Sequence, residues 1–348
     1  MGKVFLSICF CAICLLSFAQ STKILFIGNS YTDVNNLPSL IKNVSHSNGH
    51  EIEYSSNTPG GCTFQNHLSS SASYIQQGGW DYVVLQEQSQ LPSFPDGQFY
   101  NECYPYARQL CEMVRQYSPD AKIIFYMTWG RKYGDEQNCQ YFEPLCTYEG
   151  MDSLLYLRYM TMAQDNHTLV SPVGRVWHYI RDNNPEIELY QSDNSHPSLA
   201  GSYVAACCFN TILFNEDPNT ISYNPGLDNQ QISVIKNAVK RVVFDSLENW
   251  SFLPSDDTLS INNYANSSIR IFPNPATNNL NISFTDNFNE ECLFSIFDIF
   301  GKELKKYSGF NGQTATLDIS SLSPGLYVLR VYNKNNVVIS NRKFFKVE

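Results

Sequence analysis

The feature that most constrains this chain is a recurrence of short apolar runs, each followed by a stretch with helical periodicity. Runs such as Ile24-Leu25-Phe26-Ile27 and Tyr82-Val83-Val84-Leu85 show no polar alternation. Such runs suit strands covered on both faces, as in a parallel sheet. The pattern predicts strands over residues 23–28, 51–56, 81–86, 121–129 and 168–173. Helices are predicted over 37–47, 99–117, 151–164, 199–214 and 230–247. In the last of these, Ile232, Ile235, Val239, Val242 and Leu247 recur at helical spacing. Strand-helix alternation of this kind builds an α/β sandwich with right-handed crossovers.

Near residue 251 the character changes. Residues 251–267 read as a linker, rich in Ser, Asn and Asp from 255 onward. Beyond it Leu280, Ile282 and Phe284 alternate with polar residues, as do Tyr327, Leu329 and Val331. Phe300-Gly301-Lys302 and Ser323-Pro324-Gly325 are turn signals between such runs. Residues 268–348 therefore read as a small β-sandwich. A length of 348 residues fits two domains.

The amino terminus carries an export signal. Lys3 is followed by an apolar run from Val4 to Leu16, and Ser17-Phe18-Ala19 supplies small residues for cleavage after Ala19. The run is shorter than the ~20 apolar residues a bilayer core requires. Residues 1–19 are thus read as a signal peptide, 20–250 as the main domain, and no later segment as membrane-spanning. The net charge is -10, and no Lys/Arg cluster offers the basic face a nucleic acid would need.

Of 11 cysteines, three leave with the signal peptide. Cys62, Cys103, Cys111, Cys139, Cys146, Cys207, Cys208 and Cys292 remain, and an exported chain can keep disulfides. Cys139 and Cys146 flank a short loop and form the best candidate pair. Cys103 and Cys111 are expected to share a helix, where a rise of ~12 Å forbids a bridge. Cys207 and Cys208 read as buried helix residues. No cysteine pair has metal-ligand spacing with a histidine, so no zinc site is expected; no other cofactor is expected either.

Three segments carry candidate chemistry. In Gly28-Asn29-Ser30-Tyr31, a serine appears at the carboxyl end of the first strand, the edge where active sites of open α/β sheets gather. The same residues would also suit a helix N-cap. In Ser192-Asp193-Asn194-Ser195-His196-Pro197, an Asp and a His three apart can hydrogen-bond, so that the carboxylate orients an imidazole able to take a serine proton. Taken alone, Asp-x-x-His is more often a surface turn. Gly60-Gly61 after the second strand, and Gln86 or Gln88 at the end of the third, are candidate donors to an oxyanion, together with the Ser30 amide. Gly60-Gly61 alone would read as a turn. His67 and Trp129 are candidates to line a substrate cleft, or else a helix-surface histidine and a core tryptophan. The long connection 130–150 holds Cys139, Cys146, Tyr133, Tyr141, Phe142 and Tyr148 and could form a lid or specificity loop.

Taken together, residues 23–214 resemble the SGNH/GDSL hydrolase superfamily. Gly28-Asn29-Ser30-Tyr31 resembles its first block, with Asn29 where the commoner motif has Asp. Gly60 or Gly61 matches the second block and Asp193-x-x-His196 the last. The resemblance implies a flavodoxin-like three-layer α/β/α sandwich with a parallel sheet. It implies a metal-free serine esterase with Ser30 as nucleophile, His196 as base and Asp193 as orienting acid. The third block departs from the family pattern: Gln86-Glu87-Gln88-Ser89 stands where Gly-x-Asn-Asp is usual, and Gln88 falls at the oxyanion asparagine. The implied substrate is an ester, and in an exported protein the expected one is the O-acetyl group of a glycan. The alternatives are a lipid or aryl-ester hydrolase, marked by activity on longer acyl chains, and a non-catalytic glycan-binding protein, marked by binding without turnover.

The tail is similar over nearly all of residues 268–348 to the type A sorting domain of the type IX secretion system. The resemblance rests on Ile269-Arg270-Ile271-Phe272-Pro273-Asn274-Pro275, on Leu317-Asp318-Ile319 with Ser323-Pro324-Gly325-Leu326-Tyr327, and on Lys343-Phe344-Phe345-Lys346-Val347. It implies the type IX machinery as a partner, passage through the periplasm, and release or attachment outside the outer membrane.

Overall fold

The computed structural model describes residues 21–253, 269–284, 291–298, 303–310, 312, 314–334 and 338–347. The predicted signal peptide, nearly all of the predicted linker and the Phe300-Gly301-Lys302 turn lie outside them. The chain divides into two compact units between Ser255 and Asp256.

The first unit holds five strands: β1 (Thr22–Ile27), β2 (Ile52–Asn57), β3 (Tyr82–Leu85), β4 (Lys122–Tyr126) and β5 (Leu169–Ser171). They pair in the order β2-β1-β3-β4-β5, all parallel. This is the flavodoxin-like doubly wound order, and each strand overlaps its predicted position. Ile24, Leu25, Phe26 and Ile27 are all essentially inaccessible. A strand buried on both faces needs an unbroken apolar run, and each such side chain contributes about 1.5–3 kcal/mol of burial.

The helices are α1 (Ser30–Asp33), α2 (Leu37–His46), α3 (Phe64–Ser70), α4 (Ala72–Gln76), α5 (Asp96–Glu102), α6 (Tyr104–Tyr117), α7 (Tyr148–Asp165), α8 (Val173–Asn183), α9 (Leu199–Phe214) and α10 (Asn229–Val242). Helices α2, α9 and α10 pack in one series, and α3, α6 and α7 in another. Helix α9 is buried around almost its whole circumference, Cys207 and Cys208 included.

Two predicted helices are corrected. The one over 99–117 is two helices, broken at Cys103 (φ -121°, ψ -62°) with Pro105 in the first turn of the second. Proline has no amide for the preceding turn and fits only at a helix start. Cys103 and Cys111 therefore do not share a helix. The one over 230–247 ends at Val242 and continues as a 3-10 segment, Phe244–Trp250. Cys139 and Cys146 form a disulfide, as predicted.

The second unit has β6 (Ile269–Phe272), β7 (Asn279–Phe284), β8 (Cys292–Phe297), β9 (Glu303–Phe310), β10 (Thr314–Asp318), β11 (Gly325–Asn333) and β12 (Val338–Lys346). They form two antiparallel sheets, β10-β7-β6 and β12-β11-β8-β9. Leu280, Ile282 and Leu317 from one sheet share a core with Phe294, Leu329 and Val331 from the other. The predicted period-2 alternation is what places these residues inward.

Candidate active site

The carboxyl ends of the parallel strands carry the candidate residues. After β1 the chain turns through Gly28 and Asn29 into α1. Gly28 is needed here because a Cβ would lie 2.6 Å from Thr32 Oγ1 and 2.7 Å from Gln86 Oε1. Asn29, in extended conformation, caps α1 by accepting from the Tyr31 amide. The capping role thus falls to Asn29, which leaves the Ser30 hydroxyl free for another partner. That partner is His196: Nε2 lies 2.8 Å from Ser30 Oγ.

His196 Nδ1 lies 2.5 Å from Asp193 Oδ2. The other carboxylate oxygen, Oδ1, accepts from the amides of Ser195 and His196, each at 3.0 Å. Burial pushes the Asp193 carboxyl upward, but these hydrogen bonds outweigh it and hold the group below its ordinary value. Asn194 between them takes a left-handed conformation (φ 59°), which asparagine tolerates better than most residues. The segment is therefore a tight loop wound around its own aspartate.

Side chains behind the loop fix its place. The Trp129 indole donates to the Ser195 carbonyl at 3.1 Å. Tyr31 and Ser195 hydroxyls lie 2.6 Å apart. Asn35 donates to the carbonyls of Pro197 and Ser198. Tyr31 stacks on Trp129 (4.9 Å) and Trp129 on Trp177 (3.6 Å), while Tyr31 meets the His196 ring edge-on at 5.2 Å. Trp129 is fully buried. It carries the loop from below and does not line a cleft, which corrects the substrate-binding expectation. Burial raises the Tyr31 hydroxyl, partly offset by hydrogen bonds with Ser195 and Ser89 and by the positive field of Arg131.

His67 is corrected in the same way. It is fully buried on α3, with Nε2 2.8 Å from the Gly28 carbonyl and Nδ1 2.7 Å from Ser71 Oγ. Burial lowers its basicity, against the raising effect of the Gly28 contact. A neutral ring spending both nitrogens on protein atoms supports the turn before Ser30 and leaves nothing for a ligand.

The expected amide donors also differ. Gln86 is fully buried; its Oε1 accepts from the Asn29 amide and Thr32 Oγ1, and its Nε2 donates to Asn29 Oδ1 and the Glu87 carbonyl. Gln88 Oε1 accepts from the amides of Gln90 and Leu91, and its Nε2 donates to Gln90 Oε1. Gln86 is fully committed to holding the loops, whereas Gln88 keeps its oxygen on the Gln90 and Leu91 amides and spends one of its two Nε2 donors on Gln90. Gly60 and Gly61 remain exposed in the loop after β2, with Gly61 at φ 69°. That loop is tied to the first by Asn29 Nδ2, which donates to the Cys62 carbonyl. Among the described residues, the amides of Ser30, Gly60 and Gly61 have no protein acceptor.

Glu87 was not singled out in the sequence, although a carboxylate directly after the apolar run of β3 is itself a signal. It is fully buried, and its Oε1 accepts from the amides of Phe64 (2.9 Å) and Gln88 (2.6 Å). Oε2 has no hydrogen-bond partner. Burial raises its pKa to about 8, against the lowering effect of the two amides and the Cys103 thiol. Tyr31 and Ser195, each adjacent to a predicted residue, were likewise invisible as a pair because 164 positions separate them.

Among the described residues, no group of three or more His, Cys, Asp or Glu side chains could hold a metal ion. No helix among them is long and apolar enough to cross a membrane.

Comparison with known proteins adds two findings. Residues 270–346 match the secretion system C-terminal sorting domain family. No curated protein sequence matches the chain. In three dimensions the chain is similar to a DUF4886 family protein from Bacteroides uniformis (16% identity, covering 66% of this chain and 95% of that one, TM-score 0.55). It is similar at lower scores to a putative SGNH hydrolase from Slackia heliotrinireducens (24%, covering 55% and 98%, TM-score 0.45) and to an acetylxylan esterase from Geobacillus stearothermophilus (18%, covering 59% and 97%, TM-score 0.42). The chain accordingly joins an α/β unit, whose fold it shares with the DUF4886 structure, to a C-terminal sorting domain that directs export to the cell surface or beyond by type IX secretion.

Proposed function

We propose that this protein is an exported serine esterase that hydrolyses carboxylic esters, with O-acetyl groups on a polysaccharide as substrate. The observation that carries the reading is the unbroken hydrogen-bond chain from Ser30 Oγ through His196 to Asp193 at the carboxyl edge of the sheet. In this reading Ser30 Oγ attacks the ester carbonyl and its proton passes to His196 Nε2. Asp193, held ionised by its hydrogen bonds, stabilises the imidazolium that forms. The amides of Ser30 and of Gly60 or Gly61 donate to the oxyanion, in place of the fully committed Gln86. Each such donor is worth ~3 kcal/mol of transition-state stabilisation. The imidazolium then protonates the departing sugar oxygen, and water, deprotonated by His196, releases the acid from Ser30.

The glycan substrate is supported by the export signal of the sorting domain, since an enzyme delivered to the cell exterior meets polymers there. The test is acetate release from chemically acetylated polysaccharides, measured beside hydrolysis of p-nitrophenyl esters from acetate to octanoate. Acetate release with a rate falling as the acyl chain lengthens supports the reading. A rate rising toward octanoate would replace it with a lipid-type hydrolase.

A further inference from the structure

Arg131 stands at the start of the long connection between β4 and α7, two residues beyond Trp129. Its Nη1 donates to Asp135 Oδ1 at 3.1 Å. Asp135 is fully buried, and its other oxygen is filled by Gln90 Nε2 and Asn138 Nδ2, both at 2.6 Å. Asp135 therefore grips Arg131 through one oxygen only. A guanidinium carries five N–H donors, and a single one of them is engaged by a side chain here. Nε is buried with no partner at all. The side chain as a whole keeps 24% of its surface exposed.

The adjacent Lys132 amide donates to the Asn194 carbonyl, which ties this stretch to the loop carrying Asp193 and His196. Gln90, held by Asp135, belongs to the loop after β3. The Arg131 charge acts on the Tyr31 hydroxyl, which itself touches Ser195 and Ser89. A cationic fork is thus pinned between the two loops that flank Ser30, with most of its donors unspent. Leaving the buried Nε unpaired is costly, and a planar fork suits a carboxylate held through two parallel hydrogen bonds.

We propose that Arg131 reads a carboxylate on the substrate near the ester, so that the site takes acidic esters in preference to neutral ones. This rests on the esterase reading above. The carboxylate can belong to the sugar, as in a uronate, or to the acyl group, as in a hemisuccinate. The experiment compares kcat/KM of the mature chain within two pairs: O-acetylated oligogalacturonate against acetylated cello-oligosaccharide, and p-nitrophenyl hemisuccinate against p-nitrophenyl acetate. One ratio should exceed about 10, and Arg131→Gln should bring that ratio down about 10-fold or more, to near one. Arg131→Lys should restore only part of it, because an ammonium cannot fork. The pair that responds identifies the source of the carboxylate. Ratios near one in the wild type, or ratios unchanged in Arg131→Gln, would overturn the proposal. Calorimetric binding of oligogalacturonate, succinate and cello-oligosaccharide to Ser30→Ala and to Ser30→Ala with Arg131→Gln needs no turnover. Tighter binding of an acidic ligand to Ser30→Ala that is lost with Arg131→Gln supports the role of Arg131; acidic ligands bound no tighter than the neutral one, or a preference that survives Arg131→Gln, overturns it. Failure of the wild type on every ester would sink the esterase reading while this binding arm still judges Arg131.

Discussion

Glu87 gives the sharpest quantitative prediction, because its carboxyl is buried beside the site with one oxygen unpartnered. Its pKa rises from the ordinary 4.5 to about 8, chiefly by burial. The direction of the linkage follows from proton counts. Between pH 4.5 and 8 the unfolded chain has lost this proton and the native chain retains it, so native stability falls as pH rises. The slope is about 1.4 kcal/mol per pH unit, giving a loss of about 5 kcal/mol across that window and about 3 kcal/mol by pH 7. Below pH 4.5 both states are protonated and nothing is lost. Glu87→Gln keeps an oxygen to accept from the Phe64 and Gln88 amides and removes the ionisation. The variant should match the wild type near pH 4.5 and exceed it increasingly toward pH 8. Guanidinium unfolding followed by tryptophan fluorescence suits the test, since Trp80, Trp129, Trp177 and Trp250 all lie in the first unit. The difference between the two proteins cancels the other titrating groups. A difference that stays constant from pH 5 to 8, or that favours the wild type more as pH rises, would refute the reasoning.

Other consequences concern the supports of the site. Tyr31→Phe removes the hydroxyl contact with Ser195 but keeps the stack on Trp129; kcat should fall by about 3- to 10-fold with KM little changed, and an equal loss in both would mean that the hydroxyl meets substrate. Replacing Cys139 and Cys146 together by serine opens a loop of seven-residue separation. The first unit should then lose about 2–3 kcal/mol in the same fluorescence assay, and an unchanged midpoint would show that the loop is held without the bridge.

The sequence made the framework legible and the supports of the site only partly so. Strands β1, β3 and β4 announced themselves as apolar runs, because a doubly covered strand tolerates no polar alternation, whereas β2, with the sequence Ile52-Glu53-Tyr54-Ser55-Ser56-Asn57, is largely half-buried and carries a weaker signal. The sandwich of the second unit was readable from period-2 alternation for the complementary reason. Ser30, Asp193 and His196 were found by strand-end position and short spacing, and the structure brings the three within hydrogen-bonding distance. The residues around them were misjudged where polarity was taken for availability. Gln86 and His67 have chemically capable side chains, but each spends its polar atoms on backbone or neighbouring side chains. A sequence records which donors a residue owns and not how the fold commits them. For the same reason the contacts of Tyr31 with Ser195 and of Asp135 with Gln90 could not be read, since they join segments that only the sheet brings together.

The central claim is that Ser30 is a nucleophile served by His196. Its most direct test is turnover of p-nitrophenyl acetate by the mature chain beside Ser30→Ala and His196→Ala, with folding checked by circular dichroism. The account predicts measurable turnover in the wild type and a loss of about 10,000-fold or more in each folded variant. A wild type inactive on both short and long acyl esters, or folded variants as active as the wild type, would contradict it.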